Sequence, residues 1–214
     1  MADAVKSKRR YHAPRREEQA RRSRRDMLDA GHRLFLEHGY AATTVGMVAA
    51  EAGVAIQTVY KIFGNKAGLV KAIVDVAIVG DDEPVPMMQR EFVRKSQAEP
   101  DPAQKLRDFG AHLAAVAPRV NALALVVRDA AAADPGAADV WHQLQTERLT
   151  GMTAFAQHLR ESRHLRTGIT VHEARDVLWT HSSAELWDLL VNRRSWSNKR
   201  YGRWIGNQLV AALL

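Results

Sequence analysis

Three observations predict an all-helical chain. Apolar residues recur at spacings of three and four in nearly every segment. Glycine, proline and asparagine interrupt that pattern at intervals of one helix length. Nowhere does a period-two alternation rich in β-branched residues mark a strand. The expectation is about nine to ten helices, grouped as a small N-terminal three-helix domain followed by a larger helical one.

Residues 1–15 read as a disordered basic arm, with Pro14, little apolar content and many charges. The first 25 residues hold ten Lys or Arg against three acids, so the whole formal net charge of +7 resides there. A localised basic segment is the footprint of a polyanion binder, or else a solvated tail; the adjoining chain decides between them. A helix is predicted from about Arg16 to His38, with Met27, Leu28, Gly31, Leu34 and Phe35 on one face and Gly39 as a left-handed stop. Thr43 or Thr44 is placed to cap a short helix whose apolar face is Val45, Val48, Ala49 and Ala52, and Gly53 ends it. Two residues later a second short helix runs from about Ile56 to Phe63. Its apolar positions are Ile56, Val59, Tyr60 and Phe63. Gly64 breaks it, and Asn65 caps a fourth helix carrying Leu69, Val70, Ile73, Val74 and Ala77.

Beyond Pro84 the breaks fall at Glu99 to Pro102, Pro118, Asp134 to Gly136, Arg166 to Gly168 and Ser195 to Asn198. They predict helices from Pro84 or Pro86 to about Ser96, and over about 102–117, 119–133, 136–163, 171–193 and 198–213.

Composition argues against several chemistries. The chain has no cysteine, which excludes disulfides, thiolate nucleophiles and cysteine-ligated zinc. The nine histidines form no metal-ligand spacing, and His172-Glu173 lacks the second histidine of a zinc-protease helix. Glu147 and Glu161 lie too far apart on one helix for a paired-carboxylate site. There is no Gly-rich phosphate loop and no Gly-x-Ser-x-Gly elbow. No enzyme, cofactor or metal is therefore expected. No apolar run approaches the roughly 18 residues of a membrane span, and the charged N-terminus lacks the apolar stretch of a secretory signal. A cytoplasmic protein is expected.

Two short amphipathic helices joined by a tight turn, here Ala52-Gly53-Val54-Ala55, form a helix-turn-helix. If Ile56, Val59 and Phe63 face inward, Gln57, Thr58 and Lys61 face outward, where they can reach base edges; Gln57 can pair bidentately with adenine. The segments Leu34-Phe35, His38-Gly39-Tyr40, Thr43-Thr44-Val45, Val48-Ala49, Ala52-Gly53-Val54 and Thr58 through Leu69 together resemble the DNA-binding domain of the tetracycline-repressor-like (TetR) family. The strong likeness spans about residues 24–75. It implies phosphate contacts by Thr44 at a helix start, by Tyr60 and by Lys66. Arg24 and Arg25, with the other arginines of the basic segment, are placed to neutralise phosphates or enter a minor groove. Two positions depart from the family pattern. Ala55 stands where many relatives have a capping Ser or Thr, and Ile62 where many have His.

The resemblance further implies a homodimer on a palindromic operator, a larger sensor domain and a small-molecule effector. Residues 1–15 are then the arm, 16–64 the DNA-binding domain and 65–214 the effector-binding and dimerisation domain. Candidate pocket residues are Phe92, Phe109, His112, Leu113, Val116, Leu123, Val127, Trp141, Leu144, Phe155 and Trp179, with His112, Arg128 and His142 as polar anchors. They suit an apolar or aromatic effector. Candidate dimer residues are Val177, Leu178, His181, Leu189, Tyr201, Trp204, Ile205 and Gln208, with Gly202 and Gly206 sharing one helix face. Ordinary core packing is the competing reading for each. The expected function is a DNA-binding transcriptional repressor released by effector. The alternatives are an effector-independent nucleoid-associated binder, a protein–protein module and an all-helical enzyme.

Overall fold

The computed structural model describes residues 13–214, with side chains from Arg16 onward. The proposed arm therefore lies almost wholly outside the described residues. Among the described residues every regular element is a helix. The chain divides after Ile73 into two compact units.

The first unit holds α1 (Ala13–Ala42), α2 (Val45–Glu51), α3 (Ile56–Phe63) and the first half of α4 (Lys66–Val79). The predicted face of α1 is its buried face: Met27, Leu28, Leu34 and Phe35 are all enclosed. Gly39, at φ 75° and ψ 176°, kinks the helix where a stop is expected, and one further turn reaches Ala42. The turn between α2 and α3 is a Schellman motif. Gly53 sits at φ 65°, its N–H donates to the Ala50 carbonyl (3.2 Å), and the Val54 N–H donates to Ala49 (3.0 Å). Glycine tolerates this left-handed conformation without a Cβ penalty.

The second unit continues through the rest of α4 to α5 (Glu91–Ala98), α6 (Pro102–Ala130), α7 (Pro135–Glu161), α8 (Val171–His181), α9 (Ala184–Trp187) and α10 (Asn198–Leu213). Several boundaries differ from the sequence expectation. Instead of a helix opening at Pro84 or Pro86, residues 81–90 form a loop with one 3-10 turn at Met87–Gln89. Arg90 ties that loop together, donating to Asp81 (2.6 Å), the Glu83 carbonyl (2.8 Å) and the Val85 carbonyl (3.1 Å). Pro118 does not break α6, which runs unbroken for 29 residues. Residues on both sides of it, Leu106, Gly110, Ala117 and Leu123, are buried, so tertiary packing outweighs the lost hydrogen bond. The stretch 171–193 is broken at Ser182-Ser183, where Ser183 caps α9 by accepting from the Leu186 N–H (3.3 Å). α9 then passes into a π-helical turn, Asp188–Asn192.

α6 also contains an 18-residue window of mean hydropathy 1.4, longer and more apolar than the separate runs in the sequence suggest. A third of that window is buried, where α6 packs against α7 and α10 in the core of the unit. The contact with α10 is close because three glycines meet there. A Cβ on Gly110 would lie 2.4 Å from the Gly202 carbonyl oxygen, and one on Gly206 would lie 2.8 Å from the Arg107 Cα.

Candidate nucleic-acid interface

The interface is built from the ends of short helices in the first unit. Thr43 and Thr44 divide the work at the start of α2. The Thr43 side chain is buried and its hydroxyl bonds to the carbonyls of Gly39 (2.8 Å) and Leu34 (3.0 Å), locking the kink of α1. Thr44 is the cap: its Oγ1 accepts from the Met47 N–H (3.1 Å), and the residue is exposed. The hydroxyl is thus held at the helix's positive end, where an anion is favoured.

α3 is anchored by Val59, 1% exposed. Helical geometry turns Gln57 and Lys61 to the opposite side, and both are exposed. Thr58, half-buried, and Tyr60, 47% exposed, flank that outward face. As the departure at Ala55 suggests, no side chain caps α3. One expectation is corrected. Ile56 does not face fully inward but is 37% exposed, its Cδ1 lying beside Gly46 of α2, which has no side chain to cover it. Ile62 is similarly exposed at 38%.

Basic side chains surround this face. Lys66 opens α4, and its Nζ donates to the Ala41 carbonyl (3.3 Å) while lying 4.2 Å above the Tyr40 ring. Arg24 of α1 stacks over the Phe63 ring at 4.9 Å, which holds its guanidinium beside the end of α3. Arg25 is exposed. Sequence reasoning misses the link between α1 and α2, in which Arg33 Nε donates to Glu51 Oε1 (3.1 Å). No periodicity signals a pair 18 residues apart.

In the second unit Phe109, Leu113, Trp141 and Phe155 of the predicted pocket set pack against one hydrophobic core. A cleft of about 500 Å³ is lined by Val79, Asp81, Val85, Gln89, Arg90, Glu91, Phe92 and Lys95. Phe92 is the predicted pocket residue on it. Its ring stacks on His112 (centroids 4.1 Å apart). Burial, with Arg119 nearby, holds the His112 imidazole below its ordinary range. Leu123, Val127 and Leu144 are buried, and Phe109 packs edge-on against Phe155. Leu113 and Trp141 are half-buried against the core, Val116 is half-buried and His142 is exposed. Arg128 is committed to Asp129 (2.7 Å) and Glu185 (3.6 Å). Trp179 lies beneath Arg148.

The dimer residues need a sharper correction. Leu178, Tyr201 and Ile205 are enclosed by their own chain, and Gly202 and Gly206 face α6 of the same chain. None of them has surface left for a second copy. Val177, His181 and Trp204 remain half-buried; Gln208 and Leu189 are exposed, Leu189 at 50%.

A buried-core helical chain with a helix-turn-helix whose second helix presents polar side chains outward has the form of a DNA-binding regulator. Residues 27–73 match the family model described as bacterial regulatory proteins, tetR family. That stretch of the first unit is thus similar to the family's DNA-binding domain. Over 61 residues the chain is 39% identical to the HTH-type transcriptional regulator TtgR of Pseudomonas putida, a match covering 28% of this chain and 29% of that protein. The whole fold is shared with FadR from Bacillus subtilis in complex with stearoyl-CoA (18% identity, TM-score 0.68, 89% of this chain and 99% of that one). It is shared equally with a SmeT–triclosan complex (24% identity, TM-score 0.68, 90% and 91%). These proteins are similar in fold; the family-model match lies in the first unit.

Proposed function

We propose that the chain is a sequence-specific, DNA-binding transcriptional repressor and not an enzyme. It works in the cytoplasm as a homodimer on a palindromic operator, and a small apolar or aromatic effector releases it. The observation that carries this reading is α3: an eight-residue helix pinned by Val59, with Gln57 and Lys61 turned to solvent. Gln57, Thr58 and Lys61 read base edges in the major groove. Thr44, Tyr60 and Lys66 fix the register on phosphates, with Arg24 and Arg25 adding charge. The Lys66 ammonium is pre-positioned by Ala41 and Tyr40 for a phosphate that arrives beside it.

The proposed division of labour is an arm at 1–15, a reader at 16–64 and a sensing and dimerising part at 65–214, so that α4 belongs to the latter although the compact units divide inside it. Val177, His181, Leu189, Trp204 and Gln208 supply the self-association surface. The pocket draws on the half-buried aromatic and aliphatic side chains Phe92, Phe109, His112, Leu113, Val116, Trp141 and Trp179. That solved relatives of this fold hold stearoyl-CoA and triclosan supports an apolar effector here. Effector binding selects one state of the sensing part and so changes the spacing of the two α3 helices against half-sites about one helical turn apart.

The test is a salt titration of operator affinity for the wild type and for Tyr60→Ala. A regulator holding several phosphates loses affinity steeply with salt. Tyr60→Ala weakens binding without changing the molecular mass in solution. A salt-independent affinity, or an unchanged one in Tyr60→Ala, contradicts the assigned roles.

A further inference from the structure

Arg148 occupies a core-facing register of α7. It follows Leu144 by four residues on the stripe that continues to Ala156 and Leu159, and it is half-buried. A cation at such a position calls for a counter-ion. Among the described residues Arg148 has none within ion-pair distance. Its bonds go to neutral acceptors: the Trp179 carbonyl, Ser182 Oγ (3.2 Å) and Gln145 Oε1 (2.6 Å). The carboxylate that acts on it from a distance, Glu185, is held by Arg128 at 3.6 Å. Burial draws the guanidinium down to about 10, a sign of a charge lacking compensation.

The guanidinium carries five N–H donors. The three bonds above leave two of them uncommitted. Beneath it, 4.3 Å from its carbon, lies the Trp179 ring. The Trp179 Nε1–H is buried and has no acceptor among the described residues. A buried donor without a partner is costly, and natural structures leave few of them. The two spare N–H groups of half-buried Arg148 and the orphan indole N–H thus lie close together on α7 and α8. The C-terminal carbonyls of α8 explain why Arg148 is held in place. They do not explain the spare donors or the orphan indole.

We propose that Arg148 and Trp179 form an anion subsite of the sensing unit, which takes the carboxylate of an otherwise apolar small-molecule acid. The planar guanidinium offers paired N–H groups that match a carboxylate's two oxygens. Leu144 and Met152 stand one helical turn before and after Arg148 on the same side of α7, an apolar flank for the body of such an acid. This subsite rests on the reading of the second unit as the sensor, and it narrows the effector from apolar in general to apolar with an acidic group.

The experiment uses the full chain with two probe pairs, octanoate against octanamide and 4-phenylbutyrate against its primary amide. Binding is read by calorimetry and by thermal shift. Each acid is expected to bind about tenfold or more tighter than its amide, since hydrogen bonds to a charged group are the stronger kind. Trp179→Phe keeps the ring and removes the N–H. It is expected to weaken the acid about threefold to tenfold and the amide by less, since a bond to a charged acceptor is the stronger one. Arg148→Gln abolishes the preference, and Arg148→Lys restores part of it; circular dichroism verifies that each variant folds. Equal binding of acid and amide, binding of neither, or an acid preference that survives both Trp179→Phe and Arg148→Gln overturns the proposal. Operator binding is measured in parallel. Acid preference without operator binding sustains the subsite and defeats the regulator reading, and the opposite pair of results does the reverse.

Discussion

Single side chains fix the reader's shape before any DNA arrives. The Thr43 hydroxyl, buried and shared between the Leu34 and Gly39 carbonyls, joins the kink of α1 to the start of α2. Thr43→Val keeps the volume and removes both bonds. It is expected to cost about 1–3 kcal/mol, read as a lower urea midpoint for the first unit. Whether Thr43 or Thr44 caps α2 is open in the sequence, since both have the right chemistry and only the backbone angle of the residue decides. Ile56 is legible in kind but not in depth. Periodicity assigns a direction around the helix axis and says nothing of the neighbour's size, and the neighbour is Gly46. The cation–ring pairs, Arg24 on Phe63 and Lys66 on Tyr40, join residues 39 and 26 positions apart. No local pattern encodes them.

At the scale of helices, capping chemistry and the Gly53 turn can be read directly, because each is a local rule satisfied within a few residues. The α8 start shows the same: Thr170 and Glu173 form a reciprocal capping box. Which partner a helix face meets cannot be read this way. Gly202 and Gly206 plainly share a face of α10, yet spacing does not distinguish a second copy from α6 of the same chain. Gly206→Ala is expected to destabilise the second unit by about 1–3 kcal/mol, because its Cβ would press on the Arg107 backbone. An unchanged melting temperature would contradict the close α6–α10 seam. α7 ends in a Schellman-like turn in which Arg163 takes φ 58° and the His164 N–H reaches the Leu159 carbonyl (2.8 Å). Arg163→Gly relieves that left-handed conformation and is expected to stabilise by about 1 kcal/mol, measured by denaturant titration. Pro118 inside α6 misleads for the same reason as the glycines: its local cost is real, and long-range burial overrides it.

For the whole molecule, charge and protonation set the conditions of action. Burial depresses the imidazoles of His112, His158 and His164, with Arg119 acting on the first and Lys105 on the other two. A histidine whose folded value is lowered binds protons more readily unfolded. Its contribution to stability is therefore complete above about pH 6.5, the ordinary imidazole value, and is lost as pH falls through the lowered folded values. The melting temperature of the second unit is expected to drop on acidification below that point, and His112→Phe, which keeps the Phe92 stack, is expected to flatten the slope. The central claim is that the outward side of α3 reads bases. It is tested most directly by selecting bound sequences from random duplex DNA with the wild type and with Gln57→Ala. The account predicts an enriched inverted repeat with half-site centres about 10 base pairs apart, degraded at defined positions in each half-site by the substitution. Recovery of no common sequence, or of the same sequence at undiminished strength by Gln57→Ala, Thr58→Ala and Lys61→Ala alike, would contradict it.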